Sequence, residues 1–160
     1  MSNCKEACRR ALELLVEREY HLDAALLCSS DGLPVAYAAS RDIEADALSA
    51  MCSSMLSLGD ALAIQGDDDG CIQVVTQSKT QTVALIHAGS DMLLALIGAR
   101  DLKLGMLLGH ARNEVDIIID LMNKQHHEEQ VQEKQKAPEE RKPEMLEELV
   151  KRVMQEAQDR

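Results

Sequence analysis

The stretch Leu93–Arg112, LLALIGARDLKLGMLLGHAR, joins a run of apolar residues to a helical pattern through a charged turn. The apolar run, Met92–Ala99, is typical of a central strand that is covered on both faces of its sheet. Arg100 and Asp101 end this strand, and Asp101 can cap a helix from Leu102 to about Asn123. The sequence therefore predicts a buried strand that is followed at once by a long amphipathic helix.

The hydrophobic period of the preceding residues changes between that of helices and that of strands. Because Pro34 cannot donate to a strand ladder, we expect its strand to begin at a sheet edge or with a bulge. The order α-β-β-α-β-β-β-α predicts an α/β (α+β) fold, a five-stranded antiparallel sheet with one helix on one face and two on the other. The predicted helices before Leu93 are Asn3–Glu19 and Ile43–Ile64, the latter capped by Asp42, and the predicted strands are Leu22–Ser29, Leu33–Ala39, Cys71–Ser78 and Gln81–Ala88.

The chain changes character after Asn123, where a polar stretch follows the folded region of residues 3–123. Residues 124–142 predict a polar linker or a solvated helical extension, interrupted at Pro138 and Pro143. Residues 143–158 predict a final amphipathic helix with one apolar stripe. This last helix could dock on the domain, pair with its twin or bind a partner.

Composition excludes several classes of function. The formal net charge is −11, which disfavours nucleic acid and anionic membranes as partners. No apolar run approaches the roughly 20 residues that a membrane span needs, and MSNCKEACRR has no apolar core of a secretory signal. We therefore expect a cytoplasmic protein, whose five Cys residues are free thiols rather than a disulfide framework.

No motif for catalysis or for a cofactor is present in the sequence. It has no G-x-S-x-G nucleophile elbow and no phosphate-binding glycine loop, so we expect neither an enzyme nor a bound cofactor. Cys4 and Cys8 lie one helical turn apart, but two thiols alone do not make a zinc or iron–sulfur site. The acidic run Asp67–Asp69 and the run His126–Glu129 are better interpreted as solvated segments than as metal sites.

Two signatures together indicate a family. SSDGLPVA at Ser29–Ala36 contains a D-G turn between two strands, and the helix after the apolar strand begins with an L-G pair. In this order and spacing the chain resembles the roadblock/dynein light chain family, in particular its bacterial MglB-like members, over about Lys5 to Met122. The matching residues are Asp31, Gly32 and Leu33 in the first signature, and Leu104, Gly105 and Arg112 in the second.

The resemblance implies a homodimer in which the helix after the first hairpin packs against its copy and the third strands pair edge to edge. A small-residue face on Ile43–Ile64 would let two helices approach closely, and an alternating strand is exposed unless its edge pairs. The alternative is that the serine face simply meets water. The implied dimer-interface residues are Ser49, Ser53, Leu56 and Ser57 on the helix, and Ile72, Val74 and Thr76 on the strand.

MglB-like members bind a small Ras-like GTPase and stimulate GTP hydrolysis by that GTPase. They do so by remodelling the GTPase's own switch elements. The resemblance therefore implies a dimeric GTPase regulator. The alternatives are a homodimeric scaffold without effect on GTP hydrolysis, and a metal- or redox-sensing adaptor that uses Cys4 and Cys8. The implied partner-binding residues are Arg41, Glu44, Asp46, Asp60 and Arg100.

Overall fold

The computed structural model describes the backbone of residues 2–19, 21–66 and 69–136, and the side chains of residues 4–19, 21–66 and 69–124. Met1–Met122 form one compact unit, which contains every strand of the described residues. The helices are α1 (Ser2–Arg18), α2 (Ala45–Gln65) and α3 (Leu104–Lys136); the strands are β1 (Leu22–Ser29), β2 (Pro34–Ala39), β3 (Gln73–Gln77), β4 (Gln81–His87) and β5 (Met92–Ala99).

The five strands form one antiparallel sheet in the order β2-β1-β5-β4-β3. The predicted fold class is therefore confirmed, and so is the central place of the apolar strand β5. The expectation for Pro34 is also confirmed, because β2 is an edge strand and its register shifts between Leu27 and Cys28, where Pro34 is paired. The other edge of the sheet is β3, which pairs with β4 alone within the described residues.

Two separate cores lie on the two faces of the sheet. On one face α1 and α3 pack against the strands through fully buried residues that include Leu12, Leu107 and Ile118. On the other face α2 packs against the strands through Cys52 and Leu56. Successive β5 residues serve the two cores in turn, which explains why this strand is apolar throughout.

Several predicted boundaries are wrong in detail. Asp42 does not cap α2, because the helix begins later, with Glu44 at the N-cap position and no side-chain hydrogen bond there. Asp101 does not cap α3 either. Its carboxylate lies 3.4 Å from Nδ1 of His21, and the helix begins at Leu104. Cys71 precedes β3 instead of lying within it.

α3 continues as a helix to Lys136, beyond the predicted end at Asn123. Residues 124–136 are therefore helical, which favours the extension over the linker for that part of the polar stretch. The predicted C-terminal helix of residues 143–158 lies outside the described residues.

One carboxylate is buried in the core between α1, α3 and the sheet. Glu114 on α3 is only 4% exposed, and its Oε1 has no hydrogen-bond partner among the described residues. Burial raises the pKa of Glu114 above its ordinary value of 4.5, and the charge of Arg18 opposes this shift. Because the folded chain binds this proton more tightly than the unfolded chain does, ionisation of Glu114 destabilises the fold as the pH rises above about 4.5.

We predict that Glu114→Gln stabilises the protein at pH 7, because the amide avoids the cost of burying a charge. The gain should shrink as the pH falls towards 4, where the wild-type carboxyl is protonated in both states. Urea unfolding of both proteins at pH 4 and pH 7, at one protein concentration, measures this difference. An equal difference at both pH values, or a variant less stable than wild type at pH 7, would contradict the prediction.

Candidate protein-binding site

α2 presents an apolar surface to solvent. The helix contacts its own sheet along one side, where Ser49, Cys52 and Leu56 are buried. Its opposite side carries Met51, Leu58 and Leu62, which are 60%, 63% and 67% exposed. Contiguous large apolar side chains exposed to this degree mark an interaction surface more often than an ordinary solvent face.

The hydropathy of α2 makes the same point. Within the described residues it is the one helix long and apolar enough to cross a membrane by length and composition, with a mean hydropathy of 1.4. One side of α2 is nevertheless already covered by the sheet, through Cys52 and Leu56. The uncovered apolar area is therefore one side of a packed helix.

The residues of the small-residue face that was predicted for dimer contact differ in burial. Ser49 and Leu56 are buried within the chain's own fold, where they are not exposed at its surface. Ser49 is on the buried side of α2, where its hydroxyl donates to the carbonyl oxygen of Ala45 at 2.7 Å. The hydroxyl of Ser53 donates to the carbonyl oxygen of Ser30. The small side chains thus bring α2 close to its own sheet, and only Ser57 of this set is exposed.

The lead-in to β3 extends the apolar surface of α2. Ile72, directly before the strand, is 80% exposed. Val74 is partly buried against the core beneath α2, whereas Thr76 is exposed. An uncovered apolar helix side therefore lies beside an open strand edge, since Gly59 of α2 is next to Val74 of β3, and two proteins use such an arrangement when they join their sheets.

The five predicted partner-binding residues fall into two groups. Arg41, Glu44 and Asp46 are exposed at the start of α2. Asp60 and Arg100 bond within the chain instead. Oδ1 of Asp60 accepts a hydrogen bond from the backbone N–H of Cys71 at 2.8 Å, and the guanidinium of Arg100 donates to the carbonyl oxygen of Ser78. The sequence did not indicate these two contacts, because each joins residues that are far apart along the chain.

Three of the five cysteines are buried thiols. Burial raises the pKa of Cys8 to about 12, of Cys28 to about 11 and of Cys52 to about 12. These thiols stay protonated at neutral pH and are poor nucleophiles. Cys4 and Cys71 are only partly buried. Among the described residues no group of three His, Cys, Asp or Glu side chains is placed to hold a metal ion.

We predict that a thiol reagent modifies Cys4 and Cys71 quickly in dilute native protein, and the other three thiols only after unfolding. The reason is that buried, protonated thiols are neither accessible nor ionised. Time-resolved absorbance with Ellman's reagent, with and without denaturant, counts the two classes. Replacing both Cys4 and Cys71 by Ser should abolish the fast phase, and a fast phase of three or more thiols in the native protein would contradict the assignment.

The order of the helices and strands and the five-stranded antiparallel sheet define a domain of the roadblock class. A model of the Roadblock/LC7 domain matches residues 10–98, which is more than half of the chain. The protein therefore belongs to the Roadblock/LC7 family. Domains of this family are in general binding or regulatory modules rather than enzymes.

Solved structures of the same fold cover most of the chain. The Roadblock/LC7 domain of Streptomyces avermitilis is 27% identical, with a TM-score of 0.66 over 71% of this chain and 96% of that one. The gliding protein MglB of Thermus thermophilus is 18% identical, with a TM-score of 0.68 over 76% and 92% of the two chains. An MglB in a tetrameric arrangement is 19% identical, with a TM-score of 0.69 over 76% and 91%. None of the curated proteins matches the chain by sequence.

Proposed function

We propose that the protein is a cytoplasmic homodimer that regulates a small Ras-like GTPase, binding it according to its nucleotide state and stimulating GTP hydrolysis. The exposed apolar side of α2 beside the open edge of β3 carries this proposal, because it is a binding surface on a chain that belongs to the Roadblock/LC7 family. The likeness of the fold to MglB favours a GTPase as the partner. Under this proposal the protein regulates the reaction and supplies no catalytic residue of its own.

The proposal of a homodimer is based on the exposed apolar side chains of α2 and of the residue before β3, which are stabilised when a second protein covers them. Met51, Leu58, Leu62 and Ile72 are each more than half exposed in the single chain. Burying the remaining surface of such a side chain contributes on the order of 1 kcal/mol. A second copy can cover this surface with the same residues, since a twofold interface is self-complementary. We expect a second protein rather than a lipid bilayer to contact the exposed side of α2, because the other side of the helix packs on the sheet.

The beginning of α2 is the surface that we assign to the GTPase. Arg41, Glu44 and Asp46 are exposed there, and Leu33 of the β1–β2 turn is 65% exposed. This turn is adjacent to the same part of α2, since a Cβ on Gly32 would lie 3.0 Å from Cα of Ala50. An apolar side chain among exposed charges can anchor a partner, while the charges select it.

The positions of Arg100 and Arg41 agree with a regulator that stimulates GTP hydrolysis without inserting an arginine into the active site of the GTPase. Arg100 is held by the carbonyl oxygen of Ser78, and Arg41 is a surface residue before α2. The proposed action is therefore preferential binding of one switch conformation of the GTPase, which shifts its population towards the hydrolysing state. Such an action requires a measurable difference in affinity between the GTP and GDP forms.

We predict that Leu58→Glu weakens the dimer at least tenfold, because a charge replaces an apolar side chain at the proposed centre of the interface. Sedimentation velocity over a dilution series measures the dissociation constant. Leu14→Glu is the matched control, since Leu14 is 53% exposed on α1, outside the proposed interface. Equal effects of the two substitutions, or none from Leu58→Glu, would contradict this interface.

We predict that the protein accelerates GTP hydrolysis by the Ras-like GTPase encoded nearest to it in the same genome. It should also bind this GTPase at least tenfold more tightly with a non-hydrolysable GTP analogue than with GDP. Single-turnover phosphate release and titration calorimetry test the two parts. Binding that ignores the nucleotide, with unchanged hydrolysis at saturating protein, would contradict regulation and leave the homodimeric scaffold as the function.

A further inference from the structure

The edge strand β3 is fastened at both of its ends by side chains from other elements. Two residues before the strand, Oδ1 of Asp60 on α2 accepts a hydrogen bond from the backbone N–H of Cys71. Directly after it, the guanidinium of Arg100 donates to the carbonyl oxygen of Ser78, and the backbone N–H of Arg100 donates to the carbonyl oxygen of Thr80 at 3.0 Å. A five-residue strand with a single neighbour thus has a fixed point at each end.

A glycine in α2 brings the first of these contacts within reach. A Cβ on Gly59 would lie 2.8 Å from Cγ2 of Val74, closer than real Cβ atoms approach, and 3.1 Å from the sulfur of Cys71, which is a tight contact. Gly59 therefore lets the beginning of β3 pack directly against the helix backbone. Asp60, the next residue, is then placed to accept the Cys71 N–H, and Nε2 of His87 lies 3.6 Å from the same oxygen.

The fastening of β3 adds little to the core of the single chain. Only Val74 of this strand packs against the core cluster beneath α2, and Thr76 and Gln77 are exposed. An edge that must pair with another strand gains more from the same contacts. Ordering its backbone before binding reduces the entropy lost on association.

We propose that Asp60 and Arg100 are positioning residues that fix the two ends of β3 for pairing with β3 of a second copy. The inference rests on the homodimer proposed above. Asp60 and Arg100 act through the backbone of β3 in their own chain and not as contacts of the GTPase. Their removal therefore loosens the pairing edge while the rest of the sheet stays folded.

The test compares full-length variants by sedimentation velocity and by hydrogen–deuterium exchange. Asp60→Ala and Arg100→Ala should each raise the dimer dissociation constant at least tenfold. Asp60→Asn retains an oxygen that can accept the Cys71 N–H, so it should stay within threefold of wild type. Asp120→Ala and Arg10→Ala remove the same charges from exposed positions on α3 and α1 and should have no effect.

Hydrogen exchange below the dissociation constant separates positioning from general destabilisation. The amides of Cys71–Ser78 should exchange at least tenfold faster in Asp60→Ala and Arg100→Ala, while those of β1 and β5 keep their wild-type rates. Faster exchange throughout the sheet would overturn the proposal, because it would show a general structural role.

The failures of the two proposals are distinguishable. A wild-type dimer that Asp60→Ala and Arg100→Ala leave unchanged overturns the positioning role alone. A wild-type chain that stays monomeric at all concentrations overturns the homodimer, and the positioning role with it.

Discussion

The close packing of α2 on the sheet is the constraint on which the rest of the structure depends. Ser49 of α2 is buried, Gly32 of the β1–β2 turn lies against Ala50 of the helix, and Gly59 of the helix lies against Val74 of β3. Small groups at these points let the helix approach closely, so that Cys52 and Leu56 are buried in the core beneath α2, with Leu48 and Met55 partly buried against it. Met51, Leu58 and Leu62, on the opposite side of α2, remain exposed, where a second protein can cover them.

The two edges of the sheet differ for related reasons. β2 begins with Pro34, contains a register shift and packs against α1, and these features are typical of an edge protected from pairing. β3 has no proline, lies next to the exposed side of α2 and is fastened at its ends by Asp60 and Arg100. The proposed dimer pairs through the β3 edge, whose ends are held by Asp60 and Arg100, and leaves the β2 edge unpaired.

Much of the fold could be predicted from local pattern. β1 and β5 begin and end where the sequence indicated, since each is a short apolar run bounded by turn residues. The turn at Gly32, with a φ of +80°, also followed from residue type. Helix starts were less predictable, because Asp42 and Asp101 are good capping residues that the chain does not use as caps.

The candidate site was harder to predict, because burial on α2 is decided by tertiary contacts. Periodicity separated an apolar set from a small-residue set, but it could not show that Ser49 would be buried and that Ser53 would bond to Ser30. The bonds of Asp60 to Cys71 and of Arg100 to Ser78 likewise depend on how distant segments meet. Of the residues proposed for partner binding, those at the start of α2 are exposed, as such a surface requires.

Hydrogen–deuterium exchange of the wild-type protein at concentrations above and below its dissociation constant tests the central claim most directly. The account predicts that the amides of β3, Gln73–Gln77, become protected as the concentration rises, while those of the opposite edge, β2, keep the same exchange rates. Protection of β2 instead of β3, or no dependence of β3 on concentration, would contradict it.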